Sequence, residues 1–257
     1  GMQTVSSGVN KNEIILDKEM IKRIQVKLER PEYRLILKLQ SLLGLRIGDV
    51  LDTLPTKEYQ IEHYKDHYFI RNFKTQKEGV RINFLFFPEE VSTLLQSVYT
   101  TDLEKLDLST ILKTKLGTPI NKYDYLERVK TIVEEIGIEK NVKTHSFRKY
   151  FSSQVRRSQV DMEFQEHLMG HKAQNLSRSY NNNLRDIRWY YHEWLKVVNQ
   201  ICIDCKIVDK TSKAILQLKK EMKQKDEQID LLLEKNVKTE KKLQEMEEKL
   251  SRFLASL

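Results

Sequence analysis

His171 and Tyr180 stand nine residues apart in the run His-Lys-Ala-Gln-Asn-Leu-Ser-Arg-Ser-Tyr, and they follow His145-Ser-Phe-Arg148 and the lead-in Glu166-His-Leu-Met-Gly170. A guanidinium, two imidazoles and a phenol are parts from which a phosphodiester can be broken without a metal. Such an exchange needs a nucleophile that stays covalently attached, so that bond energy is kept for rejoining. Charge developing on the non-bridging oxygens must be met by fixed cations, and arginine does this best because its planar fork binds two oxygens together. The leaving 5′-oxygen needs a proton donor, and a phenol of pKa ~10 needs help losing its proton. Arg46 and Lys74, far upstream, complete a set with one candidate for each task.

Residues so far apart in sequence must be carried together by the elements between them. Helical patterning begins near Asp17, with Ile21, Ile24 and Leu28 apolar, and stops before Pro31. Residues 33–43 are dense in Leu and Ile and read as a helix buried on most sides. The period then changes. Residues 59–64, 67–73 and 80–86 are rich in aromatic and β-branched side chains and read as a small antiparallel sheet. Residues 75–79 form the turn between the last two strands, which leaves Lys74 at a strand end. Helical patterning resumes over 89–98, 103–112, 122–136, 144–155, 162–168 and 184–201. The fold class is therefore α+β, mainly α: a helical bundle with a small three-stranded antiparallel sheet.

The last 50 residues differ in kind. From Val208, apolar residues recur in steps of four and three, through Ile215, Leu218, Met222, Ile229, Leu232, Leu243, Met246, Leu250, Phe253 and Leu257. This heptad predicts a C-terminal coiled-coil helix of roughly 75 Å at 1.5 Å per residue. Asn236 falls at an a position, where a buried Asn favours a parallel, in-register dimer. In such a dimer Lys235 faces Glu240 and Lys242 faces Glu247, whereas Glu221 faces Asp226 unfavourably. A long helix folding back on its own body is the alternative. The expected organisation is a flexible segment over 1–16, a globular domain over 17–205 and the heptad helix over 206–257.

Net charge is +8 with a sequence pI near 9.2, a mild pointer to a polyanionic partner. From Lys206 onward the tail holds 13 Lys and Arg against 10 Asp and Glu, so the body keeps +5 of the total. Charge alone does not argue for nucleic acid. No window reaches the ~18 consecutive apolar residues of a membrane span, and no signal-peptide core is present. The two cysteines, Cys202 and Cys205, form a lone C-x2-C, weak as a zinc signal and read as two reduced thiols near a helix end.

At the residues named above, the chain resembles the catalytic domain of tyrosine recombinases, the phage integrase family, with a flavour of the archaeal and archaeal-virus integrases. Gly44-Leu45-Arg46-Ile47-Gly48-Asp49-Val50-Leu51 resembles the family's first box, whose arginine contacts the scissile phosphate. Phe73-Lys74-Thr75, with Val80-Arg-Ile beyond the turn, resembles the hairpin that carries the proton-donating lysine. His145-Ser-Phe-Arg148-Lys149-Tyr150-Phe151 resembles the second box, with a histidine that assists the nucleophile and a second arginine clamp. Leu168-Met-Gly-His171 resembles the Leu-Gly-His element, and the step to Tyr180 fits the nucleophile spacing. The likeness covers roughly residues 17–200.

The resemblance implies a site-specific recombinase acting on double-stranded DNA through a 3′-phosphotyrosine, needing no metal or other cofactor. The catalytic set would be Arg46, Lys74, His145, Arg148, His171 and Tyr180. It also implies a cytoplasmic, nucleoid-associated protein and a tetramer on DNA, while the heptads predict dimers through the coiled coil. Two features depart from the family. Only about 16 residues precede the first helix here, so the helical core-binding half of the DNA clamp is expected to be missing from this sequence, naturally or by truncation, and the heptad tail exceeds the usual short C-terminal helix. Arg46 has a structural alternative in pairing with Asp49, and Lys77 is an alternative to Lys74. Tyr150, Tyr190 and Tyr191 read as packing residues. DNA relaxation of the type IB topoisomerase kind, and a catalytically silent DNA-binding or assembly protein dimerised by its tail, are the competing functions.

Overall fold

The computed structural model describes residues 15–138, 142–171 and 182–204. The chain falls into two units, Gly1–Cys205 and Lys206–Leu257. The second, with its heptads, lies wholly outside the described residues, as do Tyr180 and residues 1–14.

Helix α1 (Lys18–Lys27) starts where the Asp17 side chain accepts the Met20 N–H at 2.8 Å, one of the donors a helix start leaves unpaired. Its buried face is Ile21 and Ile24. Helix α2 (Pro31–Leu42) has Pro at its first position, where the missing N–H costs nothing. Leu35, Ile36, Leu37, Leu39 and Leu42 are all buried, so α2 is wrapped on most sides, with the later helices Glu89–Val98 and Thr144–Arg157 packed against it. The short π-helical turn Asp49–Thr53 follows.

Strands β1 (Ile61–Tyr64), β2 (His67–Lys74) and β3 (Arg81–Phe86) form an antiparallel sheet in the order β1-β2-β3. Ile61 faces Ile70, Phe73 faces Ile82, and Lys74 faces Arg81 at the closing end of the second hairpin. Helix α3 (Glu89–Val98) then returns across α2.

Residues 103–112 are not the α-helix their apolar spacing predicts. They form two 3-10 turns, Leu103–Lys105 and Leu108–Thr110. Asp107 interrupts the run, its carboxylate accepting the Ser109 N–H at 2.9 Å and starting a new turn. Leu103, Leu108, Ile111 and Leu112 are nevertheless buried, which is why the apolar pattern looked helical.

Helix α4 (Lys122–Glu135) is capped by Asn121 and buries Tyr125, Val129, Ile132 and Val133. Helices α5 (Thr144–Arg157), α6 (Met162–Leu168) and α7 (Ile187–Ile201) follow. Tyr190, Tyr191 and Trp194 of α7 meet Phe84 and Phe86 of β3 in one aromatic layer. The Tyr150 hydroxyl donates to the Ile201 carbonyl at 3.1 Å, tying α5 to the end of α7. All three tyrosines are buried, and desolvation raises their hydroxyl pKa values, that of Tyr150 to about 12. They are packing residues.

Cys202, at the end of α7, is disulfide-bonded, which corrects the expectation of two reduced thiols. The chain's other cysteine, Cys205, stands three positions on and lies outside the described residues. No helix among the described residues is long and apolar enough to cross a membrane.

Candidate active site

Arg46 leaves α2 through a turn that only glycine fits. Gly44 has φ +67, and a Cβ there would come within 2.2 Å of the Phe151 ring on α5. The Leu45 N–H bonds back to the Leu39 carbonyl, so the turn is closed on the helix end. The Arg46 N–H donates to Asp49 Oδ2 at 3.2 Å, and Asp49 Oδ1 accepts the Gln76 N–H at 2.6 Å. Asp49, fully buried, thus joins the Arg46 turn to the β2–β3 turn. The structural pairing of Arg46 with Asp49 exists at the backbone only. Its guanidinium goes elsewhere, with Nη2 paired to Glu78 in the β2–β3 turn. Nη1 is buried without a hydrogen-bond partner among the described residues.

Arg148 is on the inner face of α5, 3% exposed. Its Nη1 donates to the Gly44 carbonyl, and its Nη2 donates to the Met169 carbonyl at the end of α6. Nη2 also lies 3.3 Å from His171 Nε2. Burial is the main cause that lowers the Arg148 pKa to about 10, followed by the like charge of Arg46; Asp49, Glu78 and Glu166 oppose the shift. Arg148 therefore remains cationic at neutral pH, held beside a second cation.

His171 follows Gly170, whose φ is +59 and whose Cα passes close to the hairpin: an added Cβ would sit 2.6 Å from Thr75 Cγ2. His171 Nδ1 lies 2.6 Å from Glu166 Oε2, five residues back on α6. An arginine donating to Nε2 needs a bare nitrogen there, so Nδ1 carries the proton and donates to Glu166. The pair fixes the ring with Nε2 toward Arg148.

Lys74 is exposed at the end of β2, its N–H held at 3.2 Å by the Tyr59 hydroxyl. With His171 it lines an open cleft of about 790 Å³ between the second hairpin and α6, whose other polar lining includes Arg81, Asn83 and Arg185. Lys77 instead lines a separate hollow of about 410 Å³ beside Arg46 and Lys122. His145 is exposed on the first turn of α5, three residues before the buried Arg148. Beneath the cleft, His167 Nε2 accepts the Asn83 N–H at 3.2 Å, and burial lowers the His167 pKa to about 4.

Arg46, Arg148 and His171 are thus brought together, and Lys74 shares a cleft with His171. Tyr180, the expected nucleophile, lies outside the described residues. Sequence reasoning missed three partners: Glu78, Glu166 and His167. Glu166 carried a signal, because it sits near the end of α6, five residues before His171. Glu78 carried none beyond its place in a turn.

In comparison with known proteins, the family model described as the phage integrase family matches residues 15–186. No curated protein matches the chain. Among solved structures, lambda integrase (residues 75–356) bound to DNA is similar over 69% of this chain and 62% of its own, at 18% identity and a TM-score of 0.46. The XerH site-specific recombinase in a pre-cleavage complex with its difH substrate is similar over 69% of this chain and 49% of its own, at 17% identity and a TM-score of 0.43. The chain therefore spans about half to six-tenths of the length of these structures.

Proposed function

Because the chain belongs to the phage integrase family, we propose that it is a site-specific DNA recombinase that cleaves and rejoins strands through a tyrosine. Residues 17–205 are the catalytic body in this reading, and residues 206–257 pair two copies as a parallel coiled coil. The observation that carries it is the patch of two neighbouring guanidiniums, Arg46 and Arg148, with His171 bonded to the second. Among the described residues one nitrogen of the Arg46 fork is buried without a hydrogen-bond partner, and a phosphate oxygen would supply one.

A phosphodiester seated there would take hydrogen bonds from Arg46 and Arg148 on its non-bridging oxygens, where charge builds in the transition state. His171, its ring held by Glu166, would add a hydrogen bond to the same phosphate. Tyr180 would attack phosphorus, forming a 3′-phosphotyrosyl bond and breaking the bond to the 5′-oxygen. Lys74, across the cleft, would give that oxygen its proton, and His145 would accept the proton of the Tyr180 hydroxyl. Reversal onto a partner strand rejoins the DNA.

The test is covalent trapping. The protein and its Tyr180→Phe variant are incubated with nicked, end-labelled duplex DNA in EDTA and run on denaturing gels. A labelled protein band is expected from the parent and not from the variant. A band of equal strength from both means that another residue is the nucleophile. A parent that binds DNA and gives no band across a set of genomic fragments points to a silent DNA-binding protein.

A further inference from the structure

We propose that Glu78 is a built-in stand-in for the DNA phosphate: its carboxylate closes the β2–β3 turn onto Arg46, and DNA must displace it to be cut. The inference rests on the reading of Arg46 as a phosphate clamp.

The pair is half-buried on both sides, with 21% exposure at Arg46 and 26% at Glu78, so bulk water screens it incompletely. Glu78 is also near enough to Arg148 to favour its charged form. One carboxylate therefore faces the same two cations that a phosphate would use. Its fit to Arg46 is incomplete, because one terminal guanidinium nitrogen bonds to Glu78 and the other is buried with no partner among the described residues. A phosphate, with more acceptor oxygens and more charge, can engage both nitrogens of the fork. Exchange of carboxylate for phosphate is then favourable at this position.

The exchange would be felt at Lys74. Residues 75–79 form a compact turn, with the Thr75 N–H bonded to the Val80 carbonyl and the Gly79 N–H to the Thr75 carbonyl. Asp49 pins the near side of this turn through the Gln76 N–H, and Glu78 pins the far side through Arg46. Lys74 ends the strand that feeds the turn, and its Cε lies 3.7 Å from where a Cβ on Gly79 would stand. Releasing Glu78 frees the far side of the turn that Lys74 leans on. The phosphate that fills the clamp thereby releases the proton donor, and without DNA the cation site is occupied by the protein's own carboxylate.

The experiment uses the full chain as parent, Glu78→Gln, Glu78→Asp and Arg46→Ala, with thermal melts to confirm folding. Affinity for a nicked 30-base-pair duplex is read by fluorescence anisotropy at one fixed salt concentration, since phosphate binding is steeply salt-dependent. Trypsin cleavage after Lys77 is followed by mass spectrometry in the DNA-free protein. Glu78→Asp keeps the charge but is one methylene too short to reach Arg46. A latch predicts that Gln and Asp both tighten binding, by about fivefold for a pair of this exposure, and that both speed cleavage at Lys77. A gain with Gln alone means a general charge effect and overturns the latch, as does unchanged binding or cleavage in both. Arg46→Ala separates the two ideas. Binding weakened there with no effect at Glu78 keeps the clamp and removes the latch, whereas parental binding by Arg46→Ala removes the clamp itself.

Discussion

One guanidinium, that of Arg148, holds three parts of the site: the Gly44 carbonyl, the Met169 carbonyl and the His171 ring. Beneath it, His167 does similar work without charge. Its Nε2 takes the Asn83 N–H of β3, and its ring meets Tyr190 edge to face with centroids 5.7 Å apart. Burial lowers its pKa from 6.5 to about 4. The unfolded chain therefore takes up a proton that the folded imidazole refuses. The stability tied to neutral His167 is fully present above about pH 6.5 and is lost as pH falls toward 4. The loss is at most about 3 kcal/mol, taking 1.36 kcal/mol per pKa unit. Replacing His167 with Gln removes the titration, so urea midpoints between pH 7 and 4.5 should fall less steeply in the variant than in the parent. Equal slopes would show that other groups control the acid limb.

At the scale of elements, the site is a junction between the second hairpin and the end of α6, and Gly170 sets how closely they approach. Its φ of +59 and the 2.6 Å approach to Thr75 Cγ2 are separate constraints. Gly170→Ala should cost about 2–4 kcal/mol from the left-handed backbone and the clash together. Adding Thr75→Ser removes Cγ2 and keeps the hydroxyl that bonds Val80. The double variant should recover the clash part and leave the backbone part, read from denaturant unfolding; no recovery would place the whole cost in the backbone. This junction also marks where the sequence stopped being legible. The change of period at 59–86 announced the sheet, and turn residues placed Lys74 at a strand end. Residues 103–112 misled because apolar spacing reports burial and not which backbone hydrogen bonds form. The bonds from Glu78 to Arg46 and from His167 to Asn83 join residues 32 and 84 positions apart. No local pattern encodes such pairs, since they exist only after the hairpin has closed over the first box.

For the molecule as a whole, the question is where the folded body ends and the heptad segment begins. The residues after α7 are tied down by charge. Lys38, on the buried face of α2, reaches Glu90 at 2.7 Å and Asp204 at 2.6 Å, and Gln25 of α1 donates to Asp204 at 2.9 Å. Glu90 in turn accepts the N–H groups of Ile203 and Asp204 at 2.7 and 3.0 Å. The first two helices and α3 therefore grip residues 203–204 before the heptads start. A chain ending at Cys205 keeps every one of these bonds. A chain ending at Ile201 leaves Glu90 without two donors and Lys38 without one of its two carboxylates. The shorter truncation should thus melt like the parent and change only its mass in light scattering, from dimer to monomer. The longer one should lose a further 1–3 kcal/mol or so of stability in the body, the usual cost of stripping partners from buried polar groups. Unchanged mass on ending at Cys205 would remove the coiled-coil dimer from the proposal. Equal melting of the two truncations would mean that the Lys38, Glu90 and Asp204 network adds nothing beyond what water supplies in its place.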